Sequence, residues 1–276
     1  MSPSEQTRSR KSRLGTHIFT RTAPGAAALP NGGPAKTPAM KTKCWAAGPL
    51  AALDLEATGP DPDNDRIVEL ALVVADPVNS RPARSARLDP VECIVRPDIP
   101  VSAAALRVHG LRDHDCQTRG VAPHAALTRA AGCLFEIARQ GIPLVMFNAR
   151  YDWTLLAREA ARHRVRMPSG VRLLDAMLLF DQVAPAARPA RSLHAAARTY
   201  GVSNARPHRA ADDAVATAEV VREIARGHAW IGSTPVDRLQ TLQASWHESW
   251  RERFNKRRAA HGGRESVQAG WPTVRT

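Results

Sequence analysis

The chain has 276 residues, a formal net charge of +13 and 43% hydrophobic residues, which suffices for the core of one large domain. It contains no run of about 18 apolar residues and no signal-peptide pattern, so we expect a cytoplasmic protein without a membrane-spanning helix. The excess of positive charge favours a polyanionic partner such as nucleic acid. The four cysteines lack zinc-site spacing, which argues against structural zinc.

Residues 1–45 are rich in Ser, Thr, Pro, Gly, Ala and basic residues and show no periodicity, which predicts a disordered basic tail. A nucleic-acid-binding arm or a transit peptide is a less favoured interpretation of the basic residues Arg8, Arg10, Lys11, Arg13 and Arg21. Met40, shortly before the first strand pattern, is an alternative start.

From Leu50 onward the pattern is that of an α/β domain over residues 46–230. Three successive strands predict an antiparallel meander, and a long irregular connection follows to about residue 123. We expect a mixed, five-stranded sheet flanked by helices. The predicted strands are 50–55, 67–75, 87–95, 143–147 and 171–175, and the predicted helices are 124–140, one beginning near Tyr151, 192–200 and 209–226.

A helical extension and tail follow over residues 231–276, with a helix expected at 236–259. Trp246, Trp250 and Phe254 recur every four residues, and we expect this stripe to pack on the domain rather than to stack on bases. The same helix carries several basic residues between 251 and 258. These residues form either a solvated face or a phosphate-binding one, and the pattern does not separate the two.

Two acids, Asp54 and Glu56, interrupt the apolar strand that begins at Leu50. Side chains alternate along a strand, so both carboxylates point to the same face. Burying two like charges is unfavourable unless a cation lies between them, and Mg²⁺ or Mn²⁺ suits oxygen ligands. The alternative is an edge strand whose acids face water, and this pair alone does not decide between them.

Two further segments carry candidate residues. In "VMFNARYDW" a buried strand ends at a turn containing Asn148, and Asp152 lies in the first turn of the next helix. In "ARPHRAADDAV" His208 precedes a helix, and Asp213 follows it by five residues. Each of these two patterns is common in isolation, because acids stabilise helix N-termini and a lone histidine is usually a cap or surface residue.

Taken in order, D-x-E in the first strand, N-x-x-x-D at a strand-to-helix turn and H-x-x-x-x-D at a late helix resemble the DEDDh-type 3′–5′ exonucleases. This family includes the proofreading epsilon subunit of DNA polymerase III, and it has a ribonuclease H-like fold. The resemblance covers about residues 48–228. It includes "VSAAALRVHGLRDHD", which resembles the family's helix and H-G-I-T turn, and "SLHAAARTYGV", which resembles the helix before the family's last motif. The ending, with "GWP", resembles stand-alone actinobacterial exonucleases, and no clear clamp- or polymerase-binding motif is visible.

The resemblance implies two divalent ions, Mg²⁺ or Mn²⁺, held by four acids. Asp54 bridges the ions, Glu56 and Asp213 bind the ion that holds the attacking water, and Asp152 binds the other. His208 is the implied general base. Asp212 is the alternative to Asp213, but the family's five-residue step from the histidine selects Asp213.

Substrate contacts are implied at Ala57, Thr58, His109, Leu111 and Asn148. The chain departs from the family at two positions. Ala57 replaces the usual threonine, and Phe147 replaces the usual histidine or tyrosine before Asn148. Neither change removes a metal ligand, so they bear on substrate specificity.

The sequence therefore predicts a metal-dependent exonuclease that releases nucleoside monophosphates from the 3′ ends of single-stranded DNA. An exoribonuclease or oligoribonuclease with the same mechanism is an alternative, because the metal site does not sense the sugar. A non-catalytic nucleic-acid-binding scaffold is a less favoured alternative, since all four acids and His208 are present. Oligomeric state and pathway stay open.

Overall fold

A computed structural model of the chain describes residues 44–75, 89–184, 191–263 and 267–273. Most of the expected basic tail, including Met40, lies outside the described residues. None of the described helices is both long and apolar enough to cross a membrane.

The described residues form a five-stranded mixed sheet, which confirms the expected α/β architecture. The strands are β1 (Leu50–Ala57), β2 (Ile67–Ala75), β3 (Val91–Ile94), β4 (Leu144–Met146) and β5 (Leu173–Asp175). Their spatial order is β3-β2-β1-β4-β5. The first three strands pair antiparallel, as predicted, whereas β4 pairs parallel with β1 and β5 parallel with β4.

Helices cover both faces of the sheet. They are α1 (Ala103–His109), α2 (Asp113–Arg119), α3 (Pro123–Gln140), α4 (Ala149–Arg162), α5 (Ala176–Val183), α6 (Leu193–Tyr200), α7 (Ala210–Gly227), α8 (Ala229–Ser233) and α9 (Val236–Ala260). One core cluster unites the odd-numbered residues of β1 with apolar residues of α3 and α4. A second unites Leu50 and Ala52 of β1 with α5, α6 and α7. The alternation along β1 therefore places α4 on one face of the sheet and α7 on the other.

The expected irregular connection before residue 123 was wrong, because α1 and α2 lie within it. Their local signals are short: Ser102 caps α1 by accepting from the Ala105 amide, and Gly110 ends α1 in the left-handed conformation. Helix α5 directly follows β5 and was also missed. Its eight residues after Asp175 begin with an apolar run, which does not distinguish a helix from a strand.

Helix α9 packs against the domain through Val236 and Leu239, which belong to the second core cluster, and through Trp246. Trp250 stacks on Phe254 with the ring centroids 5.1 Å apart, and the Arg191 guanidinium lies over Trp250. The aromatic stripe thus contacts protein along its length, in agreement with the packing interpretation.

Candidate active site

The face of β1 that is covered by α7 changes from apolar to acidic toward the end of the strand. Leu50 and Ala52 pack in the core, and the next two residues on the same face are Asp54 and Glu56. Glu56 is only 8% exposed. Asp54 is partly exposed, but β1 lies between β2 and β4 in the sheet, which removes the edge-strand alternative.

Asp152 joins this end of β1 from the first turn of α4. β4 ends at Met146, so β1 extends beyond its parallel neighbour and exposes backbone amides on that edge. The Asp152 Oδ1 accepts a hydrogen bond from the Leu55 amide at 3.2 Å. This contact fixes a buried carboxylate beside Asp54 and satisfies a strand amide that has no ladder partner there.

Helix α7 supplies Asp213 and, just before its first turn, His208. Ligand atoms of Glu56, His208 and Asp213 all lie within 4.8 Å of one another. Asp213 accepts hydrogen bonds from the side chain of Asn204 and from the backbone amide of His208. His208 is exposed and has a φ of 65°, a left-handed conformation that is uncommon outside glycine and often found at functional sites.

The neighbouring Asp212 is turned elsewhere. Its carboxylate forms an ion pair with Arg206 at 2.9 Å. Successive helical residues point about 100° apart, so only one of two adjacent acids can face the sheet. The acid that lies with Glu56 and His208 is Asp213.

The four carboxylates strongly influence one another. Burial raises the pKa of Asp54 well above its ordinary value, and the charges of Asp152, Glu56 and Asp213 raise it further. Burial followed by repulsion from Asp213 raises the pKa of Glu56 to about 8. Burial also raises the pKa of Asp152 and of Asp213. One site therefore contains four acids whose ionised forms are all disfavoured without added positive charge.

This donor set fits divalent cations. No lysine or arginine among the described residues forms an ion pair with Asp54, Glu56, Asp152 or Asp213. Hard oxygen ligands without thiolates suit Mg²⁺ and Mn²⁺. A bound cation would supply the missing positive charge, which explains how these acids can share one end of a buried strand.

A cavity of about 220 Å³ opens beside Glu56 between the end of β1, helix α1 and the start of α4. Its walls are mostly apolar. They are formed by Leu55, Glu56, Ala57, Gly59, Pro60, Ala104, Ala105, Val108, His109 and Tyr151. Val108 is 52% exposed at this cavity.

The expected substrate-contacting residues differ in where their side chains lie. Ala57 and His109 line the cavity. His109 is buried, and its Nδ1 accepts from the Leu111 amide at 3.1 Å. Its Nε2 therefore carries the proton and donates to the Ala57 carbonyl at 3.1 Å. Burial lowers the pKa of His109, which favours this neutral form.

Thr58 and Leu111 have structural contacts instead. The Thr58 hydroxyl donates to Asp65 and accepts from the Arg66 amide, which holds the loop after β1. Leu111 packs in a small cluster with Val68 and Cys116. Asn148 is exposed, with a φ of 66°, at the start of α4. A direct substrate contact by any of these side chains stays a prediction.

The chain is similar to known exonucleases in sequence and in fold. Residues 51–221, more than half of the chain, match the model of the RNase T family, described as an exonuclease family. The chain belongs to this exonuclease family. No curated protein matches it at a significant level.

Several solved structures of exonuclease I share the fold of this exonuclease domain. The E. coli enzyme in complex with a dA16 oligonucleotide aligns with a TM-score of 0.54 at 16% identity, over 67% of this chain and 42% of that one. Exonuclease I from Methylocaldum szegediense aligns with a TM-score of 0.54 at 20% identity, over 67% and 42%. The chain thus spans less than half the length of these exonuclease I chains, and the similarity concerns the fold.

Sequence reasoning missed Glu69, which lies at the candidate site directly opposite Glu56 in the β1–β2 register. Glu69 is 2% exposed, and both of its oxygens contact the Arg209 guanidinium. It also accepts from the Ala210 amide at 3.2 Å. This buried acid therefore fixes the start of α7 to the sheet, immediately after His208. The alternation of β2 placed Glu69 on the same face as Val73, a signal that could have identified it.

Tyr151 and Asn204 were also missed. Tyr151 precedes Asp152 and donates its hydroxyl proton to the Gly59 carbonyl at 2.6 Å, which links α4 to the loop after β1. Asn204 lies in a connection without periodicity, so its hydrogen bond to Asp213 could be identified only from the folded chain.

Proposed function

We propose that the protein is a 3′–5′ exonuclease that hydrolyses single-stranded DNA to nucleoside monophosphates with two divalent metal ions. The observation that carries this proposal is the meeting of four carboxylates, three of them buried, and His208 at the end of β1, beside a cavity large enough for part of a nucleotide. The family membership supports nuclease activity, and the polarity and substrate belong to the proposal.

Asp54, Glu56, Asp152 and Asp213 would hold the ions, as magnesium or manganese. Bound ions of this kind activate a water molecule and stabilise the charge on the attacking and leaving oxygens of a phosphoryl group. The protein provides the ligands on three rigid elements, because Asp54 and Glu56 belong to β1, Asp152 to α4 and Asp213 to α7. Rigid placement of the ligands limits the reorganisation needed during the reaction.

His208 is the proposed general base. Its exposure leaves the imidazole accessible to a water molecule, and an imidazole nitrogen can accept a proton from it. The hydrogen bond from its backbone amide to Asp213 keeps it beside the proposed metal ligand. His208 would therefore be placed to accept the proton of the attacking water beside Asp213.

The apolar cavity between β1 and α1 is the proposed site for the terminal nucleotide. Ala57, Ala105 and Val108 offer apolar contacts to a base or sugar, and Glu56 lies in the same wall. Single-stranded DNA is favoured as the substrate because exonuclease I of E. coli, which shares the fold, has been solved with the dA16 oligonucleotide. Ala57 places a methyl group where the family usually has a hydroxyl.

A cleavage assay with a 5′-labelled single-stranded DNA and the matching RNA tests this proposal. We expect the DNA to shorten in single-nucleotide steps with Mg²⁺ or Mn²⁺, and EDTA to stop the reaction. The variant Glu56→Gln should leave the DNA intact, whereas His194→Ala, an exposed histidine of α6, should behave as wild type. Degradation of the RNA alone would assign the protein to the ribonucleases, and two intact substrates that still bind would leave the scaffold interpretation.

A further inference from the structure

Residues 267–273, called the strap below, return to the exonuclease domain after helix α9. Asn255 of α9 forms two hydrogen bonds with the backbone of Val267, at 2.9 and 3.0 Å. Trp271 packs against the core cluster that lies under α3 and α4. The strap thus has fixed contacts at both of its ends.

Arg150 connects the strap to the first turn of α4, where Asp152 lies, and Trp271 connects the strap to Asp175 at the end of β5. Arg150 of α4 donates from Nε to the Gly270 carbonyl at 3.3 Å and from Nη2 to the Gln268 carbonyl at 3.1 Å. Trp271 donates from Nε1 to Asp175 Oδ2 at 3.4 Å. Arg150 is two residues before Asp152, so it restrains the same helical turn.

Asp175 explains why the Trp271 contact matters for α4. Helix α4 has no side-chain cap of its own, since Asn148 at its N-cap position makes no capping hydrogen bond. The carboxylate of Asp175, which is 1% exposed, accepts instead from the amides of Asn148 and Ala149 at 3.2 and 3.0 Å. The orphan amides at this helix start are therefore satisfied by a residue from β5, which the strap in turn contacts.

We propose that the strap positions Asp152 for metal binding, with Trp271 and Arg150 as its positioning residues. Arg150 holds the α4 turn directly, and Trp271 holds the Asp175 carboxylate that caps it. The proposal depends on the proposed function in one respect, namely that Asp152 is a metal ligand. Residues that orient a metal ligand typically change metal affinity by about 10- to 100-fold when they are replaced.

The test compares full-length wild type with Trp271→Phe, which removes the indole N–H but retains an aromatic ring, and with Arg150→Met. Two matched controls are Trp230→Phe, at an exposed tryptophan of α8, and Arg198→Met, at an exposed arginine of α6. Hydrogen exchange reports on the amides of residues 148–152 without requiring activity. Mn²⁺ titration of single-stranded DNA cleavage reports on the site.

We expect faster exchange at residues 148–152 in both strap variants, with exchange in α7 unchanged. The Mn²⁺ concentration for half-maximal cleavage should rise about 10-fold or more, whereas cleavage at saturating Mn²⁺ and the KM for DNA should stay near wild type. The two control variants should match wild type in every measurement.

Wild-type exchange and wild-type metal dependence in both strap variants would overturn the proposal. A uniform loss of protection over the whole domain would overturn it as well, because the strap would then contribute only to overall stability. If wild type itself shows no metal-dependent cleavage, the proposed function fails, and hydrogen exchange at residues 148–152 still decides whether the strap orders α4.

Discussion

Asp54 is expected to lower the stability of the metal-free protein and to be required for the proposed DNA cleavage. Its partly buried carboxylate is close enough to Asp152, Glu56 and Asp213 for their charges to raise its pKa. Sites arranged for metal binding commonly contain such mutually repelling groups, which destabilise the protein until the metal binds. The substitution of this acid should therefore have opposite effects on activity and on stability.

We predict that Asp54→Asn lowers metal-dependent DNA cleavage by more than about 100-fold. This loss exceeds the one expected for residues that only orient a metal ligand. The same variant should unfold at a higher temperature than wild type in EDTA, by roughly 2–4 °C for each 1 kcal/mol of repulsion that is removed. Cleavage assays and thermal unfolding measure the two effects. A variant that is both inactive and less stable than wild type in EDTA would indicate a structural role for Asp54.

His208 should behave differently, because it is exposed. Replacement of a general base typically lowers the rate by about 10²- to 10⁴-fold. We predict that His208→Ala lowers kcat within this range and leaves the melting temperature within about 1 °C of wild type, since exposed substitutions usually change stability by less than about 0.5 kcal/mol. An unchanged kcat would remove His208 from the mechanism.

Among the elements of the fold, the start of α7 depends on one ion pair. Glu69 on β2 and Arg209 before α7 are in contact through both guanidinium and carboxylate, and the carboxylate is almost fully buried. Because Arg209 directly follows His208, this pair fixes the proposed general base relative to the sheet. The pair therefore couples the sheet to the end of α7 that carries the candidate site residues.

We predict that Glu69→Gln and Arg209→Met each destabilise the protein by about 1.5–3 kcal/mol, the contribution of hydrogen bonds to charged groups. The double variant should lose less than the sum of the two, because the groups interact. Urea unfolding of the four proteins measures this coupling, and kcat should fall in both single variants. Strictly additive losses would show that the pair does not act as a unit.

Strands and long helices could be predicted from the sequence because their side-chain periodicity is continuous. β2 (Ile67–Ala75) has the predicted bounds, and α3 (Pro123–Gln140) differs from its prediction by one residue at its start. The short helices α1, α2 and α8 could not be predicted from periodicity, since five to seven residues hold too few turns to show a period.

Some features of the candidate site follow from local sequence patterns, and others depend on contacts between distant parts of the chain. The D-x-E pair and the spacing from His208 to Asp213 are local patterns, so the sequence predicted them. The contact of Asp152 with the Leu55 amide joins residues that are 97 positions apart in the sequence. The contact of Glu69 with Arg209 joins residues that are 140 positions apart. Such contacts depend on the register of β1 and on how α4 and α7 pack, and no local pattern encodes them.

For the molecule as a whole, the clustered acids predict how stability depends on pH. Burial and the neighbouring Asp213 raise the pKa of Glu56 from 4.5 to about 8. Between these two pH values the folded protein without metal retains a proton that the unfolded chain has released. The unfolded state then binds fewer protons, so the free energy of unfolding falls as the pH rises through this range.

We predict that in EDTA the melting temperature of wild type falls from pH 5 to pH 8 relative to that of Glu56→Gln, which lacks this titrating group. Added Mg²⁺ should raise the melting temperature of wild type more at pH 8 than at pH 5, because the ion binds the ionised carboxylates. Thermal unfolding at both pH values provides the comparison. A difference between the two proteins that is independent of pH would contradict the assigned pKa.

The most direct test of the central claim is the polarity of degradation, measured on one single-stranded DNA labelled either at its 5′ end or at its 3′ end. A 3′–5′ exonuclease should release the 3′ label at once as a mononucleotide and convert the 5′-labelled strand into a ladder that shortens by one nucleotide at a time. Immediate release of the 5′ label, or internal fragments from both strands without a ladder, would contradict the account.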